Sequence, residues 1–209
     1  TTIQINKTLY PYRVENSKLI FENEGFETSL IFFIIFDKDT KRILNGTADV
    51  YFKGSVTENS DGTITLTQNI RDLGAKPGDA LCLRSYDKPY PGIVVYRSTN
   101  TTLNNVQVHS AEGMALLAQR SENIHLINSG VTYAEGRYTT TSADSSHFSN
   151  CKGDIVIENC IFEGMMDDSI NVHSTSLRIT EIVNNSCIKL QYVHGQSVGF
   201  ETFLPGEQV

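Results

Sequence analysis

The sequence predicts an all-β protein in which stacked parallel coils, a parallel β-helix, carry a small antiparallel β lobe. Three observations support this fold class. Short β-branched runs recur with asparagine in the same place, alternating strands flank an Asn59-Ser60-Asp61-Gly62 turn, and no segment has a convincing 3.6-residue helical period. A β-sandwich with coincidental spacing is the alternative fold.

The coils are predicted from a loose repeat over residues 93–173. Asn105, Asn128 and Asn159 occupy one slot in three aligned segments, at intervals of 23 and 31 residues. A period in the low twenties is typical of coils that bury their apolar faces only against a neighbour. Asparagine suits a repeated turn because it tolerates left-handed backbone geometry and its amide can bond to the next coil. The excess of eight residues in the second interval predicts a loop around residues 133–140.

The antiparallel lobe is predicted from the two flanks of the coils. Residues 56–79 and 179–207 both contain strand-like runs followed by a Pro-Gly turn, at Pro77-Gly78 and at Pro205-Gly206. We therefore expect residues 1–79 to form most of a barrel-like lobe, residues 80–178 to form the coils with the catalytic site, and residues 179–209 to complete the lobe.

Composition restricts the partners. Seventeen basic against 24 acidic residues give a net charge of −7 without a basic stripe, so nucleic acid is disfavoured and a neutral ligand fits better. The longest apolar run, Leu30 to Phe36, is seven residues, and a membrane helix needs about 20. It predicts a buried strand and no membrane partner.

The four cysteines and the ends of the chain carry two further expectations. No two cysteines form a C-x-x-C pair, so we expect free, buried thiols rather than a metal site or a disulfide scaffold. The chain starts at Thr1 without an initiator methionine or a signal-peptide pattern, which indicates a piece of a longer protein.

Three carboxylates, those of Asp144, Asp167 and Asp168, form the strongest candidate site. Asp144 precedes Asp167 by 23 residues, one coil, so it should lie beside the Asp167-Asp168 pair. Mutual repulsion should keep at least one of the three protonated near neutral pH, which gives one acid and two bases. An inverting glycosidase needs this division of roles. A Ca²⁺ site and solvated turns are the alternatives.

Candidate sugar-binding residues surround these carboxylates, since sugars require directional hydrogen bonds from planar polar groups. Arg120 lies 24 residues before Asp144, nearly one coil, and is expected on the same face. His194 contributes only if the C-terminal flank overhangs the groove. The candidates are Arg120, Arg137, His147, Asn171, His173 and His194. For each of them a turn-forming or core-covering role is the alternative.

Three stretches resemble glycoside hydrolase family 110, whose members are exo-acting α-1,3-galactosidases. They are residues 113–124 (GMALLAQRSENI), 136–148 (GRYTTTSADSSHF) and 162–173 (FEGMMDDSINVH). The resemblance extends from about Pro77 to Pro205. It implies a right-handed parallel β-helix with an inserted β-barrel lobe and a metal-independent, cofactor-free inverting mechanism. The implied substrates are blood group B-type or linear α-1,3-galactosyl glycans, cleaved by a secreted or periplasmic bacterial enzyme.

The resemblance also implies catalytic roles for the three aspartates and indicates that family members have coils beyond those in this chain. Polygalacturonases are similar in mechanism, with one Asp followed a coil later by an Asp-Asp pair. By position Asp167 becomes the general acid and Asp144 and Asp168 the base pair, although exchanging Asp167 and Asp168 leaves the argument intact. Family members are much longer, so this chain would lack coils on both sides. Exposed solenoid ends would then favour a homo-oligomer.

The leading hypothesis is therefore an inverting exo-α-galactosidase acting on α-1,3-linked galactose in glycans. Two alternatives from other classes stay open. One is a non-catalytic carbohydrate-binding β-helix, and the other is a calcium-dependent polysaccharide lyase, which an acidic groove suits poorly.

Overall fold

The structure is a computed structural model that describes residues 1–23, 26–85, 88 and 90–207. Its N-terminal part is an antiparallel lobe of three sheets, with strand orders β1-β8-β7, β2-β3-β4 and β6-β5-β9. The strands are β1 (Thr2–Ile3), β2 (Tyr12–Glu15), β3 (Lys18–Asn23), β4 (Phe26–Ser29), β5 (Phe32–Phe36), β6 (Val50–Tyr51), β7 (Val56–Glu58), β8 (Ile64–Leu66) and β9 (Ala80–Arg84). A 3-10 turn at Ile70–Leu73 follows β8.

Strand β5 lies at the centre of this lobe. All five of its side chains are buried, as the apolar run predicted, and Phe33 and Ile35 pack with Ile70 in an apolar cluster. Strands β6 and β9 pair with its two edges. Since β9 pairs with β5, the lobe continues to Arg84, beyond the expected boundary at residue 79. The first coil strand begins at Ile93.

The coils form a parallel β-helix, which confirms the predicted fold class. Its three sheets have strand orders β10-β13-β16-β19, β11-β14-β17 and β12-β15-β18, and every ladder in them is parallel. The strands are β10 (Ile93–Tyr96), β11 (Thr99–Asn104), β12 (Gln107–Val108), β13 (Leu116–Gln119), β14 (Glu122–Ile127), β15 (Gly130–Val131), β16 (Ser146–Ser149), β17 (Lys152–Glu158), β18 (Ile161–Phe162) and β19 (Ile170–His173).

Asparagines turn the corners between these sheets. Asn105, Asn128 and Asn159 have φ of 59°, 50° and 52°, in the left-handed region that asparagine tolerates. Asn159 donates to the side-chain oxygen of Asn128 at 3.3 Å, and Asn128 donates to that of Asn104 at 3.4 Å. The polar ladder ties each coil to its neighbour.

Cys151 and Cys160 each form hydrogen bonds to the backbone at a corner of the coils. The Cys151 thiol donates to the carbonyl oxygens of Ala118 and Ser149, as the Ser121 hydroxyl does to those of Val95 and Gln119 one coil earlier. The Cys160 thiol likewise donates to the carbonyl oxygens of Leu126 and Glu158, as the Ser129 hydroxyl does to those of Leu103 and Ile127 one coil earlier. All four cysteines are free, as predicted, but three are only half-buried and Cys187 is exposed.

The C-terminal flank is a hairpin of β20 (Leu177–Asn184) and β21 (Cys187–Tyr192), followed by a 3-10 turn at Gly195–Ser197. Within the described ranges its two strands pair only with each other. Among the described residues, therefore, the expected joint lobe does not form by strand pairing.

Two further observations concern the surface. No helix in the described part of the chain is long and apolar enough to span a membrane. At the last coil strand, β19, the inward-facing Ile170 and Val172 are 46% and 57% exposed, so the apolar core is open at this end. Association through that edge stays a prediction.

Candidate active site

The three predicted carboxylates meet where the chain enters two neighbouring strands. Asp144 lies two residues before β16 and Asp168 two residues before β19, and Ser146 pairs with Ile170. Asp144 and Asp168 are therefore equivalent positions of consecutive coils, 24 residues apart. One carboxylate oxygen from each of Asp144, Asp167 and Asp168 lies within 4.8 Å of the others. The coil repeat brings them together, as predicted; their roles stay a prediction.

Each carboxylate has a different environment. Asp144 is 4% exposed, whereas Asp167 and Asp168 are exposed. The Lys88 ammonium lies 3.1 Å from Asp167 Oδ2, and the Asn171 amide donates to Asp168 Oδ2 at 3.1 Å. One member of the cluster thus has a cationic partner and another has a neutral one.

Asp144 is held by two histidines in series. His147 Nδ1 lies 2.7 Å from Asp144 Oδ2, and His147 Nε2 lies 2.7 Å from His173 Nε2. An ionised carboxylate only accepts, so Nδ1 of His147 donates to it. Nε2 of a neutral His147 then accepts, which makes His173 the donor of the second bond. The two rings meet edge to face, with centroids 4.7 Å apart.

This histidine chain arises from the strand register. His147 is the second residue of β16, and its side chain points outward because its neighbours Ser146 and Phe148 are buried in the coil. His173 is the last residue of β19, the next strand of the same sheet. The His147 side chain is 14% exposed and His173 is exposed, so the chain leads from the buried carboxylate to solvent.

The arrangement can hold a water molecule. Two oxygens bridged by one water, with hydrogen bonds of about 2.8 Å each, lie at most about 5.6 Å apart. The 4.8 Å limit between the carboxylate oxygens satisfies this condition. One pair can therefore activate a water while the third carboxyl group donates a proton.

A cation fits the cluster less well, although the described residues contain no other such group of metal-ligating side chains. Ca²⁺ takes six to eight oxygen ligands. Here each carboxylate already accepts from a side chain, and one of these donors, Lys88, is itself positively charged. The cluster supplies three carboxylates, one oxygen of each is already engaged by a side chain, and a calcium ion would be repelled by the Lys88 charge.

Of the other predicted binding residues, Asn171 joins the cluster with His147 and His173, and Arg137 lies nearby. Arg137 donates to Ser110 Oγ at 3.0 Å and lines a cavity of about 500 Å³ between the lobe and the coils. The predicted loop holds this residue. Between β15 and β16 the chain runs without strand through residues 132–145, including residues 133–140.

Arg120 and His194 have no hydrogen bond to the three carboxylates among the described residues. Arg120 follows β13 at the corner where Asn150 follows β16, and its guanidinium donates to Thr202 O at 2.8 Å and to Glu207. The expectation that Arg120 shares the catalytic face is therefore wrong, because the second coil is 30 residues long rather than 24. His194 accepts from the Gln196 amide at 3.3 Å at the start of a 3-10 turn.

Arg120 instead fixes the C-terminal segment, which predicts a stability effect. Its side chain is 9% exposed and that of Glu207 is 29% exposed. We expect Arg120→Met to lower the free energy of unfolding by about 2 kcal/mol. For a chain of this size that lowers Tm by roughly 4–8 °C in thermal melting.

Arg97 supplies the matched control for this prediction. It occupies the equivalent corner one coil earlier, with φ of 47° against 53° for Arg120, but its ion pair with Glu201 is half-exposed. Arg97→Met should therefore lower Tm by less than Arg120→Met does. The Leu204 amide and the Arg120 guanidinium hold the pKa of Glu207 below its usual range. The stabilisation by the Arg120–Glu207 pair is therefore present above the unfolded-state pKa of glutamate, about 4.3. It is lost as the pH falls through the lower pKa that Glu207 has in the folded chain. Equal losses of Tm in Arg120→Met and Arg97→Met would contradict the inference that Arg120 fixes the C-terminal segment.

Sequence reasoning missed two cations beside the site, Lys88 and Arg84. Arg84 ends β9, is 6% exposed, pairs with Asp49 and donates to Ser142 O at 3.0 Å. Both residues lie in or just after the lobe and no periodic pattern marks them. The one hint in the sequence was that Arg84 ends an otherwise apolar strand-like run, Ala80–Arg84.

The comparisons with known proteins agree with this geometry. A family model described as "GLAA-B beta-barrel domain I" matches residues 1–81, and one described as "Glycosyl hydrolases family 28" matches residues 47–205. The chain is 46% identical to an "Alpha-1,3-galactosidase B" of Akkermansia muciniphila, over 100% of this chain and 27% of that protein. Proteins of the same name from Parabacteroides distasonis and Phocaeicola vulgatus are 39% and 42% identical, over 95% of this chain and 33% and 34% of theirs.

The chain thus spans about a third or less of the length of the curated relatives it matches. Their names confirm the resemblance to α-1,3-galactosidases that residues 113–173 carry. The family model has a different number from the family of that resemblance, 28 rather than 110, but both families are glycoside hydrolases. Because the model covers most of the sequence, including all three aspartates, the chain belongs to glycosyl hydrolases family 28.

Proposed function

We propose that this chain is the catalytic portion of an inverting exo-α-galactosidase that hydrolyses terminal α-1,3-linked galactose from blood group B-type or linear glycans. The observation that carries the proposal is the cluster of Asp144, Asp167 and Asp168, with oxygens within 4.8 Å of one another at the surface of a β-helix. The names of the relatives support the substrate.

In the proposed reaction, Asp144 and Asp168 hold a water between them. The water oxygen attacks the anomeric carbon and its proton passes to this base pair, while the bond to the leaving oxygen breaks. Asp167 donates its proton to that oxygen, so the aglycone leaves as an alcohol. The acid is then reprotonated from solvent, to which Asp167 is exposed.

One observation favours the reverse assignment within the pair. The Lys88 ammonium forms an ion pair with Asp167, whereas among the described residues Asp168 accepts only from the neutral Asn171 amide, so a proton on Asp168 breaks no ion pair. Asp168 is therefore the second candidate for the general acid.

The stereochemical outcome is the direct test of inversion. Two-carboxylate inverting sites usually have groups about 6.5–9.5 Å apart, and retaining sites about 5–5.5 Å. The nearest oxygens here are closer than the inverting range, so inversion depends on a water held between two bases rather than on a wide gap. We expect β-galactose as the first product when α-linked substrate is followed by proton NMR. Initial release of α-galactose would contradict inversion and indicate a covalent intermediate.

The same incubation tests the alternatives. A B-type trisaccharide should lose its terminal galactose, whereas a non-catalytic binding β-helix would return it uncut. Activity should survive chelation with EDTA, because each carboxylate accepts a hydrogen bond from a side chain and Asp167 is paired with Lys88. Loss of activity on chelation, with an acidic polymer as the substrate, would instead support the lyase alternative. We also propose a secreted or periplasmic location in a bacterium, where such glycans are accessible.

A further inference from the structure

We propose that the cavity of about 500 Å³ between the lobe and the coils binds the saccharide on the leaving-group side of the scissile bond. This inference rests on the proposed function and adds where the rest of the glycan lies. The volume is within the range of about 300–1,000 Å³ that small-molecule sites occupy.

The position of the cavity connects it to the carboxylates. Ser142 and Met166 line it, and they lie two residues before Asp144 and directly before Asp167. The same backbone segments therefore carry the reacting groups and one wall of the cavity. A sugar linked to a galactose at the carboxylates is only one glycosidic bond away from this wall.

Aromatic side chains also line the cavity. Tyr10, Phe21 and Phe36 of the lobe and Tyr138 of the loop line the cavity, and the rings of Phe36 and Tyr138 are 5.4 Å apart at an interplanar angle of 52°. Aromatic faces pack against the apolar faces of sugar rings, and they do so without a charge on the ligand. This lining suits a neutral saccharide.

Polar groups in the cavity match sugar hydroxyls. Arg84 lines the cavity and is 6% exposed, and its guanidinium donates to Asp49 and to Ser142 O. Among the described residues its Nε has no hydrogen-bond partner, which is costly for a buried donor. Glu112 and Arg137 add one acceptor and one donor at the exposed side. Burial raises the pKa of the lining Cys82 thiol to about 11, so this group adds no charge.

Among the coils that the structure describes, only the second carries the loop that lines the cavity. Residues 136–139 line the cavity and belong to the segment between β15 and β16, which is longer than the corresponding segments of the coils before and after it. Because the carboxylates are held by the strand register, this loop can differ between proteins without moving them. It is therefore placed to select among leaving-group saccharides.

The test compares two substrates of the full chain. A B-type trisaccharide fills the cavity, whereas α-galactosyl fluoride has a single atom as its leaving group and does not. We expect Tyr138→Ala to lower kcat/KM for the trisaccharide about tenfold. The value for the fluoride should stay within about twofold, which also shows that the variant is folded. Tyr51→Ala is the matched control, because Tyr51 is an exposed lobe tyrosine outside the cavity.

A binding measurement separates this inference from the proposed function. The trisaccharide's remainder without its terminal galactose should show saturation transfer from the wild-type chain and from Tyr51→Ala, but not from Tyr138→Ala. A protein that cleaves neither substrate but binds this saccharide would overturn the hydrolase proposal alone. Equal losses on both substrates, or unchanged saturation transfer in Tyr138→Ala, would overturn the subsite.

Discussion

Replacing the aspartates one at a time should lower galactose release from a natural glycan by about 10²–10⁴-fold each, the range that general acid and base catalysis contributes. Asp144→Asn, Asp167→Asn and Asp168→Asn keep the size of the side chain but remove its charge and its ability to give or take up a proton. Circular dichroism and thermal melting of each variant should resemble those of the unmodified chain. The measurement is kcat/KM with a B-type trisaccharide.

A second substrate identifies the acid among them. Fluoride departs without needing a proton, so the variant that lacks the general acid should retain most of its activity on α-galactosyl fluoride. The two base variants should lose activity on both substrates, because water activation is needed in each case. Retention by Asp167→Asn would support the assignment that the resemblance implies. Retention by Asp168→Asn would support the assignment that the Lys88 contact favours. Substantial glycan cleavage by Asp167→Asn would remove Asp167 from the mechanism.

Removing the His147 imidazole should have the next largest effect, a loss of roughly ten- to a hundredfold in kcat. The His147→Phe variant leaves the buried Asp144 carboxylate without the donor that lies 2.7 Å from it, and a hydrogen bond to a charged group contributes about 1.5–3 kcal/mol.

Three comparisons make this result specific. His147→Asn retains a side-chain amide donor and should recover part of the loss. His109→Phe is the matched control, since His109 is an exposed histidine whose Nδ1 lies 2.9 Å from Thr132 O. Nitrogen NMR of labelled histidine should find the proton of His147 on Nδ1. A raised KM with an unchanged kcat would contradict the positioning role and support the direct sugar contact that the sequence suggested.

Much of the site could be anticipated because a β-helix converts sequence interval into spatial distance. The interval of 23 residues between Asn105 and Asn128 gave the length of a coil, and the same interval separates Asp144 from Asp167. It was enough to predict that Asp144 lies beside Asp167 and Asp168. The same intervals located the loop of residues 133–140. The interval failed for Arg120 because the extra residues of the second coil lie after it, so counting backward from Asp144 crosses the loop. That error came from assuming a constant coil length.

The partners of the carboxylates could not be anticipated in this way. Lys88 reaches Asp167 from the junction between the lobe and the first coil, at a separation of 79 residues with no periodic relation to it. The pairing of His147 with His173 across two strands depends on side-chain rotamers and on which face of β16 and β19 is buried. The hairpin of β20 and β21 closes on itself because a local turn forms more readily than a sheet between distant flanks.

By itself the sequence determined the all-β class, the stacking of coils and the meeting of three carboxylates, because periodic backbone pairing is written into residue spacing. Only the tertiary structure decided that Asp144 is the buried member, that a histidine chain leads from it to solvent, and that a cavity lies beside the cluster. The physical reason is that burial, hydrogen-bond partners and cavities depend on how the lobe packs against the coils. Such contacts join residues that share no period.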